Sequence, residues 1–388
     1  MLRIFPSIQP YAWGSHSFLA HLQGRTEPTA EPEAELWIGA HPSAPAALPD
    51  GKRLDETIAA DPRHALGGRS VERFGPQLPY LMKVLAAERP LSLQAHPDKE
   101  TAQKAFAAHH PSYVDANHKP ELLVALTGFD ALCGFRPPEQ SAEYLASLGI
   151  RPLDPVVTAL SEGDLRTAVE TLYSRPEAER KDLVCAAADA ERNAGGGVAA
   201  TLAQQYPSDI GVVVALLLNH VWLQPGQAIW MPAGNMHAYL RGAGVEIMAA
   251  SDNVLRGGLT SKRVDVPELL RILCFEPLHD PVLHAVRESG GVDIWPVPVD
   301  DFALRRVTVD GTVRLGSHAL AREGREATPA GEAGISGART ALCVEGSVAI
   351  ADSEGSVDLK PGQTAFGNAS AGQLELTGTG VVFLASTQ

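Results

Sequence analysis

Apolar residues come in short runs along most of the chain, broken by Pro, Gly and small polar clusters, which is the texture of strands and turns. Glu35-Leu36-Trp37-Ile38-Gly39 and Tyr80-Leu81-Met82-Lys83-Val84-Leu85 are two such segments within residues 1–136. One helix is expected among them. Pro97-Asp98-Lys99-Glu100 opens an alanine-rich stretch to about Ala108, with Pro and acidic groups in the first turn, where unpaired N–H groups favour them. From Pro137 to about Tyr206 the period changes. Glu139–Leu148, Pro155–Leu160, Leu165–Tyr173 and Ala178–Arg192 have helical spacing and strong helix formers. Strand texture returns with Asn219-His220-Val221-Trp222-Leu223 and Gln227–Met231, between the turn signals Pro225-Gly226 and Pro232-Ala233-Gly234. After a short helix over Pro267–Cys274 it continues to the end, for example in Thr340–Val344 and Val381–Leu384.

The pattern predicts a mainly β protein with an α insertion. Residues 1–136 and 211–265 form one β lobe, 137–210 a helical domain set into it, and 266–388 a second β lobe. Leu223-Gln224-Pro225-Gly226-Gln227 recurs as Leu359-Lys360-Pro361-Gly362-Gln363, each a turn before an apolar strand, so the two lobes read as a duplicated jelly-roll barrel.

Composition narrows the function classes. A chain of 388 residues exceeds one ordinary core, and 45% hydrophobic with 20% charged residues is a globular balance. The first residues lack a basic start, an apolar core and a small-residue cleavage site. The longest apolar run, from Val212, is interrupted at Asn219 and His220, short of the ~20 residues that span a bilayer. Cys133, Cys185, Cys274 and Cys343 are widely spaced, as suits reduced thiols. A cytoplasmic location with no membrane association is expected. A formal net charge of −14 without a basic run argues against nucleic acid as a partner. It leaves room for a small phosphorylated ligand where a few cations converge.

Candidate chemistry lies in the first lobe. Gln94 and His96, two apart, project from one face of an extended segment. Glu121 sits at the mouth of the apolar run Leu122-Leu123-Val124, where a carboxylate is costly without a partner. Gly226, Pro232, Gly234 and His237 fit G-x5-P-x-G-x2-H, the cupin pattern in which the turn delivers a histidine into the barrel mouth. A single His near a strand is more often a hydrogen-bonded structural residue, and a single Glu more often solvated. Together Gln94, His96, Glu121 and His237 offer a metal set with open positions, for which zinc, manganese, iron and cobalt are all chemically admissible. After Pro361-Gly362 no Pro-x-Gly-x-x-His phrase follows, so the second barrel is expected to be metal-free and to serve a structural or pocket-flanking role.

Longer phrases carry a resemblance. Tyr11-Ala12-Trp13-Gly14-Ser15, Glu35–Ser43, Leu93–Lys99, His118-Lys119-Pro120-Glu121, Pro232–Leu240, Gly244–Met248 and Ser251–Lys262 occur in order, and the chain resembles the type I phosphomannose isomerases. The resemblance implies two cupin-type jelly-roll lobes with a helical domain, and one zinc ion (Zn2+) per chain on Gln94, His96, Glu121 and His237. It implies a pocket with Trp13, Lys119, Tyr239, Glu246, Asp252 and Arg256, and aldose–ketose isomerisation of a small sugar phosphate through a cis-enediol. Arg256 and Lys83, with Ser92 and more weakly Lys262, are expected to seat the phosphoryl group. Lys119 and Glu246 are expected to move the proton between C1 and C2, with His118 and Asp252 assisting ring opening. A monomer is expected. Gly257 and Ser261 depart from the alanine and proline frequent at those positions. Cupin metal sites also support oxygenases, and a sugar-phosphate-binding module without turnover is a third reading.

Overall fold

A computed structural model describes residues 1–288, 290–317 and 334–387. Of the expected second lobe, residues 289, 318–333 and 388 lie outside the described residues. The chain is mainly β, with two large antiparallel sheets of eleven and eight strands and a block of helices.

The strand His237–Ala249 organises the first lobe. Its first half pairs with Phe129–Phe135 and meets Leu93–Ala95 at Gln94, whereas its second half pairs with Tyr80–Ala87 and Glu121–Ala125. One strand therefore belongs to both walls of the barrel. The change of wall occurs where the register slips between Tyr239 and Arg241 and at Gly242, whose φ is 125°. A Cβ at Gly242 would stand 2.7 Å from the Gly128 carbonyl, so only glycine fits the corner.

Alternation then sorts the side chains. In Tyr80–Ala87 every residue is buried: Tyr80, Met82, Val84 and Ala86 pack outward, while Leu81, Lys83, Leu85 and Ala87 take the alternate, inner positions. Leu122, Val124, Val245 and Ile247 join the outward set, leaving Glu121, Leu123, Glu246 and Met248 for the interior. Burying each such apolar side chain contributes roughly 1.5–3 kcal/mol. An unpaired charge there costs several kcal/mol, so Lys83, Glu121 and Glu246 need partners inside the barrel.

The outward face does not meet water. It packs against the second sheet through Phe302, Leu304, Leu342 and Phe383, and Tyr80 Oη donates to the carbonyls of Ala338 and Ala385 at 3.2 and 3.1 Å. Leu2–Ile4 pairs with Thr364–Gly367, so the first strand belongs to the second sheet although its sequence neighbours build the first lobe. The Met1 ammonium is anchored there on Asp352.

The helical block matches its sequence pattern closely. Pro138–Ser147, Asp154–Ser161, Leu165–Tyr173 and Glu177–Asn193 are helices, followed by the short Val198–Leu202 and Gly211–Val214. Their apolar faces share a core with Leu93, Leu132, Ala238 and Leu255, the outer side of the other barrel wall. Tyr173 Oη donates to the Gly257 carbonyl at 2.6 Å, and a Cβ on Gly257 would lie 2.8 Å from that oxygen. The glycine at this position is the space the tyrosine occupies.

Before residue 136 the expectation of one helix is corrected. Besides Lys99–Ala107, the helices Phe18–Leu22, Leu54–Ala60, Pro62–Leu66 and Gly68–Phe74 form there. They are too short to show a full amphipathic period, although Asp61-Pro62 carries a start signal: Asp61 caps His64 N at 3.2 Å with proline at the first helical position.

The turn before His237 is locked from three sides. Gly234 has φ 75°, donates to the His96 carbonyl at 2.8 Å and accepts from Cys274 N at 3.0 Å. A Cβ would meet the Ile272 carbonyl at 2.7 Å. Gly234→Ala is expected to lower stability by about 1–3 kcal/mol in chemical denaturation, because both the left-handed φ and the contact resist it. An unchanged midpoint would show that the turn is slack.

Candidate metal centre and active site

His96, Glu121 and His237 arrive from three separate segments and meet in the barrel interior. His96 Nε2 lies 3.4 Å from Glu121 Oε1 and His237 Nε2 lies 3.2 Å from Glu121 Oε2. All three side chains are essentially sealed from solvent. The tautomers follow from the other ring nitrogens. His96 Nδ1 is 2.8 Å from the Asn253 carbonyl and His237 Nδ1 is 3.0 Å from the Asn235 carbonyl. A carbonyl only accepts, so each Nδ1 carries a proton and, in the neutral ring, each Nε2 presents a bare lone pair. Burial pushes the His96 imidazole down to about 4, which keeps it neutral at neutral pH.

Lone pairs of two imidazoles and a carboxylate thus face one another. Both Nε2 atoms and Glu121 Oε2 are buried without a hydrogen-bond partner. Such atoms are rare in native interiors, and one divalent cation satisfies all three. The candidate ligand atoms lie within 4.8 Å of one another, as a shared ion requires. Burial pushes the Glu121 carboxyl up, but its neighbours, with the Lys119 ammonium as the permanent charge among them, hold it well below the usual carboxylate range. Lys119 Nζ stands 3.3 Å from Glu121 Oε1.

Register places Gln94 and Arg256 beside the triad. Gln94 stands opposite His237 on one neighbouring strand and opposite Arg256 on the other, so these side chains share a face. Arg256 is half-buried, and among the described residues no carboxylate pairs with it. Burial alone pulls its guanidinium below the ordinary value, consistent with a cation awaiting an anionic partner.

A second cluster lines the adjacent wall. Lys83 Nζ lies 3.4 Å from Glu35 Oε1, 3.6 Å from Glu246 Oε2 and 5.0 Å from the centre of the Trp37 ring. Trp37 Nε1 donates to Glu35 Oε2 at 2.6 Å, and Tyr239 Oη to Glu246 Oε1 at 2.6 Å. Lys83, expected at the phosphoryl group, is here enclosed by carboxylates. Burial works against its charge, but Glu35 and Glu246 raise its pKa above the usual lysine range. The Glu246 carboxyl is pushed up to about 7, by burial first and then by the charge of Glu121, against the pull of Lys83.

The remaining candidates make separate contacts. His118 bonds Asp301 through Nε2 at 3.1 Å. Asp252 is half-exposed, with His41 Nε2 3.4 Å from its carboxylate. Trp13 packs on the interior apolar cluster and stacks on Tyr11 at 5.7 Å. Ser92 is half-buried one residue before the Gln94 strand. Lys262 is exposed, and among the described residues no ion pair forms on it. Buried Asn253 receives the backbone N–H of Val114 at 2.9 Å and donates to the Asn117 carbonyl at 2.9 Å, which fixes the loop leading to His118.

Glu35, His41, Asn253 and Asp301 were not singled out by residue-level reasoning. Glu35 shares the signal of Glu121, a carboxylate in an apolar strand; the other three carry no local signal. A cavity of about 690 Å³ lies elsewhere, on the outer surface between Trp222, Arg241 and Thr201, and none of the expected site residues lines it.

Two outcomes test this geometry. Glu121→Ala should abolish stoichiometric metal by elemental analysis of the purified protein; full metal content would place the ion elsewhere. A carboxyl with a raised folded pKa stabilises the native state below its ordinary range of about 4.5 and loses that contribution as pH rises through about 7. The metal-stripped protein should therefore lose up to about 3 kcal/mol more stability than Glu246→Gln between pH 5 and pH 8. Parallel denaturation curves would contradict the raised carboxyl.

Comparison with known proteins agrees with the geometry. Residues 1–138 match the family described as phosphomannose isomerase type I, catalytic domain. The mannose-6-phosphate isomerases of Salmonella typhimurium and Escherichia coli are 35% and 34% identical, each over 98% of both chains. That of Homo sapiens is 36% identical over 80% of this chain and 83% of its own. Among solved structures, a mutant of phosphomannose isomerase from Salmonella typhimurium superposes with a TM-score of 0.88 at 33% identity, covering 100% of this chain and 99% of that one.

Proposed function

The chain belongs to the type I phosphomannose isomerases, and we infer that it interconverts mannose 6-phosphate and fructose 6-phosphate through a cis-enediol, with one zinc ion per chain. The observation that carries the reading is the sealed triad of His96, Glu121 and His237, with its orphaned lone pairs, beside Arg256, with which no carboxylate among the described residues pairs. Gln94 completes the ligand set from the strand between His237 and Arg256. When bound, the cation supplies Lewis-acid stabilisation of the negative charge that develops on O1 and O2 of the sugar.

The side chains do the rest. Arg256 and Ser92 seat the phosphoryl group, Lys262 lies at the rim, and Trp13 and Tyr239 wall the pocket. Lys83 holds Glu246 in place. Glu246, poised near pH 7 between Tyr239 and Lys83, and Lys119, beside Glu121, exchange the proton between C2 and C1. His118 and Asp252 open the ring at the mouth. The helical block and the second lobe back the two barrel walls and keep water out of the interior. No helix among the described residues is long and apolar enough to cross a membrane. We place the enzyme in the cytoplasm as a monomer.

A coupled assay with mannose 6-phosphate, before and after chelation and with zinc measured on the same sample, tests the function directly. Activity should vanish with the metal and return on its addition; turnover that survives complete chelation overturns the reading. Arg256→Ala should keep its metal and lose about 10²–10³-fold in kcat/KM, with its larger part in kcat if remote binding energy orients the reacting carbons.

A further inference from the structure

A carboxylate of the second lobe meets His118 of the first. Asp301 is buried, and its two carboxylate oxygens lie 3.1 and 3.2 Å from His118 Nε2. Its position is over-determined. The neighbouring Asp300 pairs with Arg73 on the Gly68–Phe74 helix. On the other side, Phe302 is fully buried in the core shared by the two lobes, with its ring 6.3 Å from that of Trp230 on a strand of the first sheet. The carboxylate thus sits between two anchors, both of which tie it to the first lobe. His118 is itself held, because the loop before it is fastened to Asn253, whose backbone carbonyl receives His96 Nδ1–H.

We propose that Asp301 is a positioning residue for the isomerase reaction, acting through His118. An ionised carboxylate only accepts, so in the neutral ring the pair keeps the proton on Nε2 and leaves Nδ1 as the basic nitrogen. It also fixes the ring plane, which a side chain with two rotatable bonds does not do unaided. The second lobe, whose described residues offer no ligand to the metal triad, thereby sets which nitrogen of His118 can take a proton from a sugar hydroxyl. This rests on the reading of His118 as a proton carrier in ring opening.

Four variants, Asp301→Asn, Asp301→Ala, His118→Gln and the double Asp301→Asn/His118→Gln, test it with kcat, KM, metal content and thermal midpoint measured on each. Asparagine keeps the shape but can donate to Nε2 and so favours the other tautomer. It is expected to lower kcat about 10²-fold, with KM within about twofold and metal content unchanged. The double variant should be no slower than His118→Gln alone, because the second change removes a partner already lost. In Asp301→Ala, added formate should restore kcat in a concentration-dependent way, which a purely structural loss would not allow. Wild-type kcat in Asp301→Asn alongside a slow His118→Gln overturns this proposal alone, as do multiplicative losses in the double variant. Wild-type kcat in both single variants overturns the His118 reading and this proposal with it.

Discussion

Two imidazole nitrogens and a carboxylate, each with a bare lone pair, point at one another inside a barrel from which water is excluded. This arrangement is repulsive as it stands, because neither Nε2 bears a proton to share with Glu121. The fold holds it nonetheless, through carbonyls that bind the opposite ring nitrogens and through strands whose registers are set over their whole length. A site that would cost stability without a cation is a site built for one.

The charges around it are arranged to balance. Lys119 beside Glu121 and Lys83 between Glu35 and Glu246 offset carboxylates that the interior could not otherwise hold. The balance is incomplete in two places. Glu246 retains a carboxyl near pH 7, and Arg256 retains a guanidinium without a counterion among the described residues. In the proposed reaction the first exchanges the proton and the second receives the phosphoryl group.

The architecture explains why so much chain surrounds so small a centre. A jelly-roll barrel has an outer surface as well as an inner one, and here both outer walls are apolar. The helical block covers one wall and the second sheet the other, sharing their cores with the strands that carry the inner residues. Inner positions are thereby freed for polar groups, since the apolar residues that stabilise each strand sit on its far side. The second lobe also touches the first through Asp301, whose carboxylate meets His118.

How far the chain could be read from its sequence follows from the range of each interaction. Helices such as Leu165–Tyr173, the turn through Gly234 and the carboxylate set in Glu121–Ala125 were legible, because capping, left-handed φ and period-two alternation are written in neighbouring residues. The ordered phrases from Tyr11 to Lys262 carried the family in the same way. The short helices of residues 18–74 escaped because none is long enough to show its period. The pairing of Leu2–Ile4 with Thr364–Gly367, the enclosure of Lys83 by Glu35 and Glu246, and the meeting of Asp301 with His118 were decided only in three dimensions. Each joins residues that are neighbours only once sheet register and the docking of lobes are set, and those depend on whole faces burying apolar surface, which no local pattern specifies.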